Sequence, residues 1–293
     1  MTSTERVPVP PFASAAAAGD GLRMAGYLPD QKVATVVHLA GCLGKPVLVE
    51  GPAGTGKTEL AKSVAAATGN RLIRLQCYEG LDETKALYEW DYRKQLLAIQ
   101  LHGTDAEGDL FGEDFLLTRP LLEAIRAEDP VVLLVDEVDR LDVEAEALLL
   151  EVLSDYQVSV PELGTVTARQ VPIVFLTSNG SRELSEALKR RCLYLHMDYP
   201  SPEREREIIL TRVPGIAADL AAQAAQVVRS LRLLDLKKRP SVSETLDWAR
   251  TLMVLGADTI DSDLIAATMP VLLKHQADIE LALRKLELGA AGS

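Results

Sequence analysis

The sequence predicts an α/β fold, a parallel sheet flanked by helices, followed by a smaller all-α domain. Three observations predict it. Residues 48–60 read as a buried strand, a glycine-rich loop and then a helix. Two further strands, Val131–Asp136 and 173–177, are apolar nearly throughout, as central strands covered on both faces are. Beyond Asp198-Tyr199-Pro200-Ser201-Pro202 the strand patterns stop and only helical patterning remains.

Composition narrows the class. The 293 residues suit one large domain or two ordinary ones, and 47% hydrophobic content supplies a substantial core, aliphatic because aromatics are only 4%. The formal net charge is −12, and no run of Lys or Arg offers a rail for a phosphate backbone, so nucleic acid is not the expected main partner. Cys42, Cys77 and Cys192 have no metal-ligand spacing and are an odd number, which reads as reduced thiols in a cytoplasmic protein. His38, His102, His196 and His275 are scattered singly. No apolar run approaches the roughly 20 residues of a membrane span, and the charged-then-apolar order of a signal peptide is absent.

In chain order, residues 1–20 are rich in Pro and Ala and are expected to form a flexible arm. The α/β domain is expected over 21–200. A turn at 26–30 leads into a helix with Val33, Val36, Val37 and Ala40 on one face, closing at Gly41 or Gly44. Val47–Glu50 is the first strand. The helix after the loop ends before Gly69, and residues 71–77 are the second strand. Residues 78–100 concentrate Tyr78, Tyr88, Trp90 and Tyr92 in a chain with only 2 Trp, 7 Tyr and 4 Phe. Helical spacing there groups Leu87, Asp91 and Lys94, and separately Tyr88, Tyr92 and Gln95, so Trp90 and Tyr92 are candidates for a partner-binding surface, with core packing as the alternative. An acidic tip at 102–109 is expected to be mobile. A helix begins near Pro120, another covers 143–153, 158–171 looks like a hairpin, and a helix near 183–190 precedes a last short strand at 193–197. Ser201 as N-cap with Pro202 at the first helical position opens the helical domain, 201–293.

The loop carries the first chemistry. Gly51, Pro52, Ala53, Gly54, Thr55, Gly56, Lys57 and Thr58 complete the pattern G-x-x-x-x-G-K-[ST], followed by Glu59. The glycines let the backbone curl so that successive N–H groups converge on phosphate oxygens, and the helix N-terminus adds its positive dipole end. Lys57 would reach the β- and γ-phosphates of ATP, and Thr58 would place its hydroxyl on Mg²⁺. A chance glycine turn before a helix is the plain alternative.

Asp136 and Glu137 end the apolar strand. Asp136 would hold Mg²⁺ mainly through water, and Glu137 would polarise an attacking water. Alone, such a pair is often a helix N-cap; with a phosphate loop in one parallel sheet, it argues for hydrolysis over transfer to a small molecule. Asn179 follows the strand at 173–177 and could orient that water, or be a turn residue before Gly180. Arg190 and Arg191 precede the last strand. They are either solvated charge or arginines delivered to a neighbouring subunit's phosphates.

This order of motifs resembles the AAA+ ATPases. The segment after strand two, the hairpin at 158–171 and Tyr199-Pro200-Ser201-Pro202-Glu203 are similar to the MoxR branch. Gln76-Cys77-Tyr78-Glu79-Gly80-Leu81-Asp82 and 87–97 resemble the sub-branch accompanying carbon monoxide dehydrogenase accessory proteins, the CoxD-like ATPases. The resemblance covers about residues 25–285. It implies a five-stranded sheet in the order 5-1-4-3-2 with a helical lid, a homo-hexameric ring with ATP between subunits, and a von Willebrand factor A-domain partner. It also implies a chaperone role in maturing a metalloenzyme client. The family's lid arginine departs from its usual place: in Lys237-Lys238-Arg239-Pro240-Ser241 the aligned position is Ser241, and Arg239 is the candidate. Of the two arginines before the last strand, Arg191 has the more usual spacing. Competing readings are a P-loop kinase for a small molecule, a nucleotide-gated scaffold that does no remodelling work, and a DNA-handling motor, which the acidic charge disfavours.

Overall fold

The computed structural model describes residues 10–102, 110–161 and 163–290. They fall into two units, one formed by the chain up to Gly51 together with Lys57–His196, the other by Pro52–Gly56 together with the chain from Met197 on.

The first unit is built on a five-stranded parallel sheet. Its strands are β1 (Val47–Glu50), β2 (Arg71–Gln76), β5 (Val131–Asp136), β8 (Ile173–Ser178) and β9 (Leu193–His196), with two hairpin pairs between them, β3 (Tyr88–Trp90) with β4 (Leu116–Thr118) and β6 (Gln157–Val160) with β7 (Gly164–Thr167). The spatial order is β2-β5-β8-β1-β9, and every pairing is parallel. Numbered by rank in the large sheet, this is the 5-1-4-3-2 order that the resemblance implied. All six residues of β5 are buried, which explains its unbroken run of Val and Leu. On β2, by contrast, burial alternates and Arg71, Arg74 and Gln76 face out, as suits an edge strand.

Register decides where the chemistry sits. Glu50 lies opposite Ser178, and Gln76 opposite Asp136. The ends of four strands therefore line up along one edge of the sheet, and the loop after β1, the Asp136–Glu137 pair and Asn179 all leave from that edge. Helix Lys57–Thr68 follows the glycine loop, and helix Gln31–Leu43 runs from an Asp30 cap to a left-handed Gly44.

Two expectations fail, each for a physical reason. The flexible arm does not extend through Asp20: Ala15–Met24 is a helix capped by the Ser14 hydroxyl, and Phe12 is only 7% exposed. The run of small residues that reads as weak order instead lets this helix pack closely; a Cβ on Gly21 would lie 2.9 Å from the Phe12 ring. Residues 1–9 lie outside the described residues. The continuous helical spacing over 87–95 is broken by β3. Tyr88 and Trp90 are one strand period apart, and Trp90 packs edge-on against Tyr88 and Phe111 at ring separations of 6.2 and 5.4 Å. Trp90 is 8% exposed and belongs to the core, whereas Tyr92, at the start of helix Tyr92–His102, is 59% exposed. That helix buries Gln95, whose side-chain amide donates to the Leu110 carbonyl, and leaves Leu96 and Leu97 outside. The acidic tip expected at 102–109 falls, from 103 on, outside the described residues.

The second unit is helical over its own stretch of chain, with helices Pro202–Arg212, Ala218–Arg232, Val242–Val254, Ser262–Leu272 and Gln276–Ala290. Ser201 caps the first of these, with Pro202 at its start. Ser241 and Glu244 form a reciprocal capping box on the third. Trp248 is fully buried and satisfies its indole N–H on Thr268 Oγ1 at 2.8 Å. The Arg232–Glu205 pair is buried beside Thr245. Among the described residues no helix is long and apolar enough to cross a membrane.

Candidate active site

Lys57, in the first turn of its helix, is almost wholly buried. Its Nζ donates to the Gly51 carbonyl at 2.7 Å and to Asn179 Oδ1 at 2.9 Å. Burial is the main influence on it and pushes the ammonium pKa below its usual value, while Asp139, Asp136 and Glu137 pull the other way. A cation desolvated in this manner gains from an added anion, which is what a phosphate supplies.

Asp136 is buried at the end of β5, and both its oxygens are engaged. Oδ1 accepts from the hydroxyls of Thr58 at 2.9 Å and Thr177 at 2.5 Å, and Oδ2 accepts from Arg74 Nη2 at 2.6 Å. Glu137 is one of two non-glycine residues with positive φ among the described residues, at φ 59° and ψ 49°. This left-handed backbone costs on the order of 1–3 kcal/mol and needs surroundings that enforce it. Both backbone groups of Glu137 are held: its N–H donates to Thr177 Oγ1 at 2.9 Å, and its carbonyl accepts from the Arg140 N–H at 3.0 Å. The Glu137 carboxylate is held at one oxygen by Gln76 Nε2 at 3.1 Å and Arg140 Nε at 2.9 Å.

Asn179 is half-buried just beyond β8 and is steered by Asp139. Asp139 accepts the Asn179 backbone N–H at 3.2 Å, the Ser181 N–H at 3.0 Å and the Ser181 hydroxyl at 2.6 Å. Burial works against the charge on Asp139, but these donors hold its carboxyl below the ordinary value.

The structure thus brings Lys57, Thr58, Asp136, Glu137 and Asn179 together. Around them stand Arg74, Gln76, Asp139, Arg140 and Thr177, whose part was not recognised from sequence. Only Asp139 left a signal there, as the third acid in Asp136-Glu137-Val138-Asp139.

Gly51 opens the loop, its N–H donating to the Ser178 carbonyl. Of the remaining loop residues, Pro52, Ala53, Gly54, Thr55 and Gly56 group with the second unit. Gly54 has φ 75°, and a Cβ there would fall 2.1 Å from Ser241 Cβ, so only glycine fits. Within that unit the Val242 N–H donates to the Gly54 carbonyl at 3.0 Å. Glu59 sits in the first turn of its helix, 3.9 Å from Lys62. Arg239 is exposed in the connection before helix Val242–Val254.

Arg190 and Arg191 end helix Glu186–Arg191, just before β9. Leu193 pairs with Val47, the first residue of β1, so both arginines precede β9 at the sheet edge opposite the glycine loop. The Arg191 Nε donates to Ser154 Oγ at 2.6 Å and its Nη1 to the Ala187 carbonyl. Arg190 is exposed and makes no hydrogen bond or ion pair among the described residues.

The groups at Asp136 able to ligate a metal are oxygens, its own carboxylate and two hydroxyls, with the Arg74 guanidinium on the second carboxylate oxygen. Among the described residues no three His, Cys, Asp or Glu converge on a metal-sized point. An oxygen set with few protein ligands fits Mg²⁺, which keeps waters and takes phosphate oxygens. Thr58 and Asp136 would hold it, and it would neutralise phosphate charge.

The sequence model for the ATPase family associated with various cellular activities (AAA) matches residues 47–197, just over half the chain. The chain belongs to the AAA ATPase family. The match begins at β1 and ends just after β9, so it encloses the whole five-stranded sheet of this AAA domain. An uncharacterized protein of Staphylococcus aureus (strain bovine RF122 / ET3-1) is 30% identical over 222 residues, covering 73% of this chain and 77% of that protein. Midasin of Dictyostelium discoideum is 29% identical over 197 residues, which cover 64% of this chain and 3% of midasin. The AAA chain therefore spans only a small part of midasin's length. Among solved structures, a variant of Thermotoga maritima RuvB shares the fold with a TM-score of 0.50 at 20% identity, covering 89% of this chain and 71% of that one.

Proposed function

We propose that this AAA protein is a Mg²⁺-dependent ATPase that couples ATP hydrolysis to remodelling or activating a protein client. The observation that carries the reading is the strained, tethered Glu137 beside Asp136, within one hydrogen-bonded cluster with Thr58 and linked through Asp139 to Asn179 and Lys57. Lys57 and the loop amides bind the phosphates. Mg²⁺, when bound, supplies charge neutralisation at the phosphates. Glu137 takes a proton from the attacking water, and Asn179, held by Asp139, orients that water.

In this reading the chain works as a cytoplasmic homo-hexamer of the MoxR type, with a von Willebrand factor A-domain partner and a metalloenzyme client. Arginines on the sheet edge away from a subunit's own phosphate loop fit a role in a neighbour's site. Arg190 is the stronger choice, because Arg191 would first have to leave Ser154. Arg239 is proposed to sense nucleotide from the helical unit.

The test is phosphate release from ATP by the purified chain, with Lys57→Ala beside it. Magnesium-dependent release by the wild type, with both nucleotide binding and release lost in Lys57→Ala, supports the reading. Equal nucleotide affinity in the two proteins sinks it.

A further inference from the structure

We propose that Thr177 is a positioning residue for turnover, through which one hydroxyl sets both the Asp136 carboxylate and the backbone of Glu137; this rests on the ATPase reading above. Thr177 is 1% exposed near the end of β8. Its hydroxyl has one hydrogen to give and lone pairs to receive. An ionised Asp136 can only accept, so the Thr177 hydrogen points to Oδ1 at 2.5 Å. A backbone N–H can only donate, so Glu137 gives its hydrogen to Thr177 Oγ1 at 2.9 Å. Both directions are forced, and the hydroxyl has no second arrangement that keeps both bonds.

The other partners of Asp136 are of a different kind. Thr58 lies in the phosphate-loop pattern and would turn its lone pairs to Mg²⁺. Arg74 is about half exposed and reaches Asp136 from the edge strand, where an arriving cation competes with it. Thr177 alone is buried, uncharged and outside the phosphate loop, so its hold on Asp136 does not change when nucleotide and metal arrive. The same oxygen anchors the amide that fixes the left-handed turn at Glu137, and with it the direction in which that carboxylate leaves the strand. A single buried hydroxyl thus ties the metal-holding acid to the water-activating acid.

The experiment compares Thr177→Val, which keeps the shape and removes the hydroxyl, with Thr177→Ser, which keeps the hydroxyl. Three readouts are taken: affinity for a fluorescent ATP analogue without metal, the Mg²⁺ concentration that half-saturates the analogue's metal-dependent signal, and kcat. Thr177→Val is expected to bind metal-free nucleotide like the wild type and to need several-fold more Mg²⁺, and its kcat should fall by roughly 10- to 100-fold, as when a partner that orients a metal-holding carboxylate is lost. Thr177→Ser should restore both the Mg²⁺ requirement and kcat. An unchanged Mg²⁺ requirement in Thr177→Val overturns the proposal. So does a Thr177→Ser protein as impaired as Thr177→Val at an equal melting temperature, since the lost methyl would then be the cause. If the wild type binds Mg²⁺ and nucleotide but never hydrolyses ATP, the ATPase reading fails, and the Mg²⁺ titration still decides whether Thr177 sets Asp136.

Discussion

Asp139 holds the loop that carries Asn179: one carboxylate oxygen accepts the Asn179 N–H at 3.2 Å, and the other accepts both the N–H and the hydroxyl of Ser181. The turn after β5 and the loop after β8 are therefore one mechanical piece, and the side chain of Asn179 is presented to Lys57 by a residue that holds the Asn179 backbone. Asp139→Ala strands the two amides. It should cost about 1–3 kcal/mol of stability, the usual penalty for unpaired buried donors. Nucleotide affinity should change little while kcat falls roughly tenfold or more. A melting curve, a nucleotide titration and steady-state phosphate release separate the three effects. Equal losses in affinity and in kcat would mean that the loop serves binding only.

The two arginines before β9 make a second, sharper comparison. Arg190 is unengaged among the described residues, while Arg191 is tied to Ser154 and Ala187. Arg190→Ala should lower turnover roughly 1000-fold, the scale of an arginine supplied to a phosphoryl-transfer site, whereas Arg191→Ala should act mainly through local packing. Mixing Arg190→Ala with Lys57→Ala protein should recover part of the activity, because each chain completes the other's site. A mixture no more active than its components would show that Arg190 does not act across subunits.

Trp90 and Tyr92 should separate cleanly in a melting experiment. Trp90 is packed in the core with Tyr88 and Phe111, and Trp90→Ala should cost about 3–5 kcal/mol. Tyr92 is mostly exposed, and Tyr92→Ala should stay within about 0.5 kcal/mol. Equal melting shifts would contradict the strand assignment at Tyr88–Trp90. Trp90 is consequently unsuited to probing a partner surface; Tyr92 alone suits that purpose.

What could be read beforehand followed from local chemistry. The glycine loop, the aliphatic run of β5 and the Ser201-Pro202 start each state their structure within a few residues. Arg74 and Gln76 could not be read that way. On an alternating edge strand they look like a solvated face, and only the non-local register of β2 with β5 sets them beside Asp136 and Glu137. Thr177 was similarly hidden, since a Thr in a strand is ordinary until the neighbouring strand end supplies a carboxylate and a strained amide. The 87–95 stretch misled because helical and strand periods both fit a few residues, and pairing with Leu116–Thr118 decided between them. The N-terminal helix was missed because Ala- and Gly-rich sequence carries little periodic signal even where it packs closely.

The central claim is that Glu137 acts on the attacking water and not on the nucleotide, and Glu137→Gln tests it most directly. The substitution keeps size and the tether to Arg140 or Gln76 in part, and removes the base. Nucleotide affinity in the presence of Mg²⁺ should remain within about twofold of the wild type, while single-turnover phosphate release should fall by roughly 100-fold or more, the contribution expected of a positioned general base. A Glu137→Gln protein that releases phosphate at the wild-type rate, or one that loses nucleotide binding along with turnover, would contradict the account.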